Sequence, residues 1–372
     1  MLSGKVGEKQ STKRAGYPFE YIKDILVPAD INIGNLECSL SDREAPIHIR
    51  NKTFNLRGSP EFCKSLADAG FNIISLANNH ILDYGAGGLI DTIDNLQKEG
   101  IHHIGAGKDL EEASKPLIIE MKGLRLAFLA FTYAFRARYK KPGCAPCNFS
   151  FIQRQIRRVR SSVDVVIVNV HQGIEYVDFP SRKTVALYRG IADEGADLIL
   201  GHHPHVVQGV EFYNNSLIVY SLGNFVSSYY DSEVRRTSYN KTALFYYTDH
   251  PPALNDLRTT ESFILHCSVA AKGLRDYELI PVKSDFEFQP VLMNLAESRV
   301  FFQRIEDISA KLSNLADPVW DDMDRLWDIC ERENLKSETL VSILKKIHHL
   351  RFRHMRLVIP FLKAKLKGEQ SA

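Results

Sequence analysis

The run VDVVIVNV, residues 163–170, constrains this chain more than any other stretch. It is almost continuously apolar, offers no polar face to water, and so predicts a central strand covered on both sides. A chain with such a strand must supply a layer of structure above and below it. RLAFLAF (125–131), ADLILG (196–201), ADINIGN (29–35) and FNIISLA (71–77) read as further strands. Helical spacing separates them. Phe62, Leu66 and Ala69 line one face of a helix opened by Ser59 and Pro60 and stopped at Gly70; Leu89, Ile90, Ile93 and Leu96 line another. Phe149, Ile152, Ile156 and Val159 predict a helix over 148–161, and a further helix runs through Val185 and Ala192. The alternation predicts an α/β fold of layered sheets flanked by helices.

Asn214 and Asn215 mark the turn of a hairpin, because Asn tolerates the positive φ that a tight turn needs. SFILHCSV and YELIPV predict a second sheet, and from about residue 299 the pattern is helical. This divides the chain into an N-terminal segment, 1–27, a main domain, 28–298, and a helical, basic C-terminal extension, 299–372. Residues 341–372 carry eight Lys and Arg against one acidic residue, Glu369. A basic amphipathic helix there reads first as a solvated or domain-packing face, and otherwise as a surface for a partner or for peripheral contact with an anionic membrane.

With 44% hydrophobic and 25% charged residues, the chain has the material for a sizeable core, which excludes disorder as its dominant state. A net charge of +2 argues against nucleic acid as a partner. Six scattered cysteines point to a reducing compartment; CAPC (144–147) reads as a surface loop or incidental thiols, with a metal or redox role as the alternative. The chain as given shows neither a signal peptide nor a run long enough to span a membrane, which places it in the cytoplasm or at the membrane periphery.

Chemistry enters at the strand ends. Glu37 follows the first strand, Asn78, Asn79 and His80 the next, His171 closes the central strand, and His202, His203 and His205 follow another. In an open α/β sheet the carboxyl ends of strands line one crevice, so these distant residues can converge there. A carboxylate, a carboxamide and several imidazoles form a mixed N and O donor set, suited to a divalent transition metal rather than to calcium. The chemistry that follows is metal-assisted hydrolysis, in which a non-ligand imidazole such as His80 donates a proton or stabilises the developing oxyanion. No GxSxG elbow, P-loop or GxGxxG opening a βαβ unit is present, which removes the usual sequence support for serine hydrolase, kinase and dinucleotide-dependent chemistry.

In this order, GNLECSLSD, AGFNIISLANNHILDYGAGGLIDTIDNL, GIHHIGAGKDLEEASKP, VVIVNVHQGIEY, GADLILGHHPHVVQGVE and IVYSLGNF resemble the CapA capsule synthesis family of poly-γ-glutamate production, over about residues 28–285. That family is similar to the calcineurin-like metallophosphatases. The resemblance implies a metallophosphoesterase-type fold and one or two ions of Mn, Zn or Fe. It makes Glu37, Asn79, His171, His203 and His205 metal ligands and His80 the catalytic acid. Asn78, Glu175, His202 and Asn224 are expected near the crevice, His202 as an alternative to His203.

There are two departures from the family pattern. Members usually begin with a strand ending in Gly-Asp, whose Asp is a ligand, and neither precedes Ile31; an uncovered sheet edge or a gap in the core is expected in its place. Gln172 stands where the family often has Trp. The resemblance implies a metal-dependent hydrolase or transferase acting on an anionic polymer such as poly-γ-glutamate, or on a phosphate ester. Residues 135–160, with eight Lys and Arg and no acid, would attract such a polymer. The alternative is a non-catalytic assembly component of a polymer-synthesis complex.

Overall fold

The computed structural model describes residues 1–10, 16–47, 54–228, 257–271 and 273–337. The basic segment 341–372 lies outside them. A six-stranded sheet occupies the centre, in the order Val210–Tyr213, Ser216–Val219, Leu198–His202, Val165–His171, Leu124–Thr132 and Leu117–Met121. Its four middle strands are parallel and its two outer strands antiparallel to their neighbours. All seven residues of Val165–His171 are buried, as an apolar run between two layers requires. The Asn214-Asn215 turn joins the two strands at one edge, with φ of 46° and 64°. Leu117–Met121, at the other edge, was not anticipated: its half-buried alternation is too short to stand out from a loop.

Alternation along these strands divides the core into two layers. Leu129, Val168, Ile199 and Ile218 face the helices Phe149–Arg160 and Arg182–Asp193. Phe128, Ile167, Leu198 and Val219 face the other way, toward a three-stranded parallel sheet (Ile33–Asn35, Ile73–Ser75, His102–Ile104) and a three-stranded antiparallel sheet (Glu261–Ala270, Gly273–Ser284, Pro290–Leu292). The helix Gly85–Lys98 closes the far side through Leu89, Ile93 and Leu96. Helices Leu295–Leu312 and Val319–Ser337 form the C-terminal extension, the first of them opened by a capping box between Asn294 and Glu297. This is the layered α/β arrangement with a helical extension read from the sequence.

Local signals shifted by small steps. The helix expected from Pro60 starts at Phe62, with Ser59 Oγ accepting from the Glu61 N–H at 3.3 Å, and Gly70 ends it at φ 90°. Asn148 caps the helix Phe149–Arg160. Among the described residues, the edge of Ile33–Asn35 away from Ile73–Ser75 pairs with no strand. It borders a cavity of about 970 Å³ walled by Phe128, Ile167, Leu200 and Phe263, which runs up to Glu37 and His203.

Candidate metal centre

Parallel pairing brings the candidate ligand residues together. Val165–His171 is in register with its neighbours, so that His171 stands beside His202 and Thr132, whose Oγ1 donates to the His171 carbonyl at 3.1 Å. From the facing sheet, Ile33–Asn35 and Ile73–Ser75 run in register and deliver Glu37 and Asn78 to His80 at the same end. Asn78 ties those crossings together: its Nδ2 donates to the Leu36 carbonyl at 2.7 Å and its Oδ1 accepts from the His80 N–H at 3.0 Å. The chain then turns sharply after Leu198–His202, with φ of 102° at His203 and 60° at His205. Non-glycine residues there are strained, a cost that aims both rings at one point.

Glu37 Oε1 lies 3.5 Å from His171 Nε2 and 3.7 Å from His205 Nε2; Glu175 Oε1 lies 3.9 Å from His203 Nε2. Two sets of three, Glu37 with His171 and His203, and Glu175 with His203 and His205, each hold their ligand atoms within 4.8 Å of one another. Ligands about 2.0–2.2 Å from one ion stand roughly 3–3.5 Å apart, so these spacings suit a shared cation better than direct hydrogen bonds. Asn79 Oδ1 is the exception, at direct hydrogen-bond distance from His171 Nε2, 2.8 Å.

The hydrogen bonds set the tautomer of His205. Asn224 Nδ2 donates to the carbonyls of His205 and Thr259, at 3.2 and 2.8 Å, so its Oδ1 faces His205 Nδ1 at 3.0 Å as the acceptor. His205 therefore carries its proton on Nδ1 and turns a lone pair on Nε2 toward Glu37. His171 Nδ1 and His203 Nδ1 are buried with no hydrogen-bond partner among the described residues. The Nε2 atoms of the same rings face Glu37 and Glu175, and imidazole nitrogens with carboxylate and carboxamide oxygens make a donor set that fits a divalent transition metal.

Burial pushes His171 and His203 well below the usual imidazole pKa, and the neighbouring imidazoles push the same way. Burial also lowers His205, opposed by Glu175 and by the bond to Asn224, and brings His202 down to about 4. All four are thus neutral near pH 7, the form that binds metal. His202 Nε2 sits 3.3 Å from Asn169 Oδ1 and belongs to neither ligand set, so geometry favours His203 of the two alternatives.

His80 is held differently. Its Nδ1 lies 2.7 Å from Asp83 Oδ2, which also accepts from the Leu56 N–H at 2.7 Å. A buried carboxylate thus fixes the orientation of the ring. Sequence reasoning missed Asp83, although the three-residue spacing in HILD was visible. It also missed Tyr133, whose OH is 3.3 Å from His203 Nε2, and Tyr176, whose ring stacks on His205 at 5.7 Å. Cys144 is buried and Cys147 half-buried, in neither ligand set, so CAPC is not a surface loop.

A family model described as bacterial capsule synthesis protein PGA_cap matches residues 1–229. The chain belongs to that family. This PGA_cap chain is 34% identical over 266 residues to the capsule biosynthesis protein CapA of Bacillus anthracis, covering 69% of this chain and 64% of that one. It is also 34% identical over 232 residues to the PGA biosynthesis protein CapA of Bacillus subtilis (strain 168), covering 61% of each. It therefore spans less than two thirds of either relative's length. A crystal structure described as a novel phosphatase from Mycoplasma pneumoniae covers 73% of this chain and 89% of its own at 15% identity, with a TM-score of 0.43, an overlap that carries no argument here. Among the described residues no helix is long and apolar enough to cross a membrane.

Proposed function

We propose that this chain is a metal-dependent hydrolase or transferase acting on an anionic polymer, such as the poly-γ-glutamate of capsule production, or on a phosphate ester. The convergence of Glu37, His171, His203 and His205 at ligand spacing carries this reading. Glu37, Asn79, His171, His203, His205 and Glu175 would hold the metal, which supplies Lewis-acid polarisation and an activated water when bound. His80, oriented by Asp83, delivers a proton to the leaving group, the amine nitrogen of a polyglutamate amide or the oxygen of a phosphate ester. Exposed Arg136, Arg138, Lys140 and Lys141, which follow Tyr133 in the chain, draw an anionic chain toward the crevice, whereas Arg157 and Arg160 of the same basic stretch are paired with Glu194 and Asp197.

Reconstitution of purified protein with Mn²⁺, Zn²⁺ and Fe²⁺, followed by metal analysis, tests this directly. The expected result is at least one ion per chain, with turnover of a nitrophenyl phosphate ester or shortening of poly-γ-glutamate. Negligible metal after all three reconstitutions overturns it.

A further inference from the structure

The helix Val319–Ser337 lies beyond the matched family region, yet it packs on a loop of the metal centre. That loop follows His171 and carries Glu175, beside His203, and Tyr176, stacked on His205. Tyr176 adopts φ 65° and its N–H donates to the Pro204 carbonyl at 2.7 Å, which joins the loop to the His203–His205 turn. Ile174, Tyr176 and Val177 form a buried cluster, and Met323, Leu326 and Trp327 of the helix pack against it. Just downstream, Arg182 pairs with Asp321 and Asp324 at 2.7 and 2.9 Å, and Lys183 with Asp328 at 2.9 Å. These ion pairs are partly exposed and hold little, which leaves the apolar cluster as the main fastening.

We propose that this helix is a clamp on the metal centre. Met323, Leu326 and Trp327 are positioning residues: they fix the turn at 174–177 and thereby hold Glu175 against His203 and Tyr176 against His205. Metal affinity then depends on a helix that supplies no ligand. The inference rests on the metal reading above and adds a remote determinant to it.

The test uses the full chain with Met323→Ala and Leu326→Ala combined, and separately Trp327→Phe, which keeps an apolar ring. Zinc affinity is read by competition with a chromogenic chelator, and backbone order by amide hydrogen exchange. In the double variant, zinc affinity is expected to fall roughly tenfold, the size typical of losing support behind a ligand. Exchange at 173–178 should quicken while Val165–His171 and Leu198–His202 stay protected; Trp327→Phe should remain near the parent. Unchanged exchange at 173–178, or unchanged zinc affinity in a folded variant, overturns the clamp alone. A parent chain that takes up no zinc overturns the clamp together with the metal reading. Where the pair prevents folding, Leu326→Ala alone is judged by the same two readouts.

Discussion

Two imidazole nitrogens, His171 Nδ1 and His203 Nδ1, are buried without a hydrogen-bond partner among the described residues, and the site is best understood from them. Leaving a buried polar atom unsatisfied costs about 1–3 kcal/mol, so the fold holds these rings, with Nε2 turned toward Glu37 and Glu175, at a cost to stability that their own hydrogen bonds do not offset. Replacing His203 with Ala should abolish zinc uptake while leaving the melting temperature of the metal-free chain nearly unchanged; full zinc uptake by that variant would remove His203 from the centre. His80→Ala should behave oppositely, retaining the metal and lowering kcat on a responsive ester by about 10²–10⁴. Asp83→Asn should lower kcat less, because the ring keeps a partner. Equal rates for parent and His80→Ala would dismiss it as the proton donor. The ligand types were legible before the structure because each closes or follows an apolar run. Asp83 was not, since it lies inside a turn and a lone carboxylate three residues from a His is common in any loop.

At the scale of elements, the parallel register does most of the positioning. His171 is carried by a strand buried on both faces, so its place is set by packing rather than by its own contacts. Shortening a fully buried side chain in the neighbouring strand should therefore be felt strongly: Ile199→Ala is expected to cost about 2–5 kcal/mol in urea denaturation. A loss below 1 kcal/mol would mean that the sheet relaxes around the gap. Capping is a weaker lever. Asn294→Ala, at the start of Leu295–Leu312, should cost about 1 kcal/mol by the same measurement. The strands and helices of the main domain were readable from periodicity because each buries a regular face. The loop at 173–181 was not, because Tyr176 and Val177 are buried by the remote helix Val319–Ser337 rather than by a local pattern.

For the whole molecule, the lowered histidine pKa values make stability depend on pH. The sign follows from burial: the folded pKa lies below the unfolded value of about 6.5, so acid protonates the unfolded chain first. Stability of the metal-free protein is therefore full above about pH 6.5 and falls as pH drops toward 4, the value reached by His202. Urea midpoints at pH 7.5, 6 and 5 should decline in that order, and His202→Gln should flatten part of the decline. A profile without slope across this interval would contradict the burial of these rings. The cavity beside Ile33–Asn35 bears on chemistry from outside the molecule. Under the proposed metal reading, a phosphonate or hydroxamate alone would grip any metallohydrolase, whereas an inhibitor that adds a short aliphatic tail would reach the walls formed by Phe128, Leu200 and Phe263 and so select for this cavity.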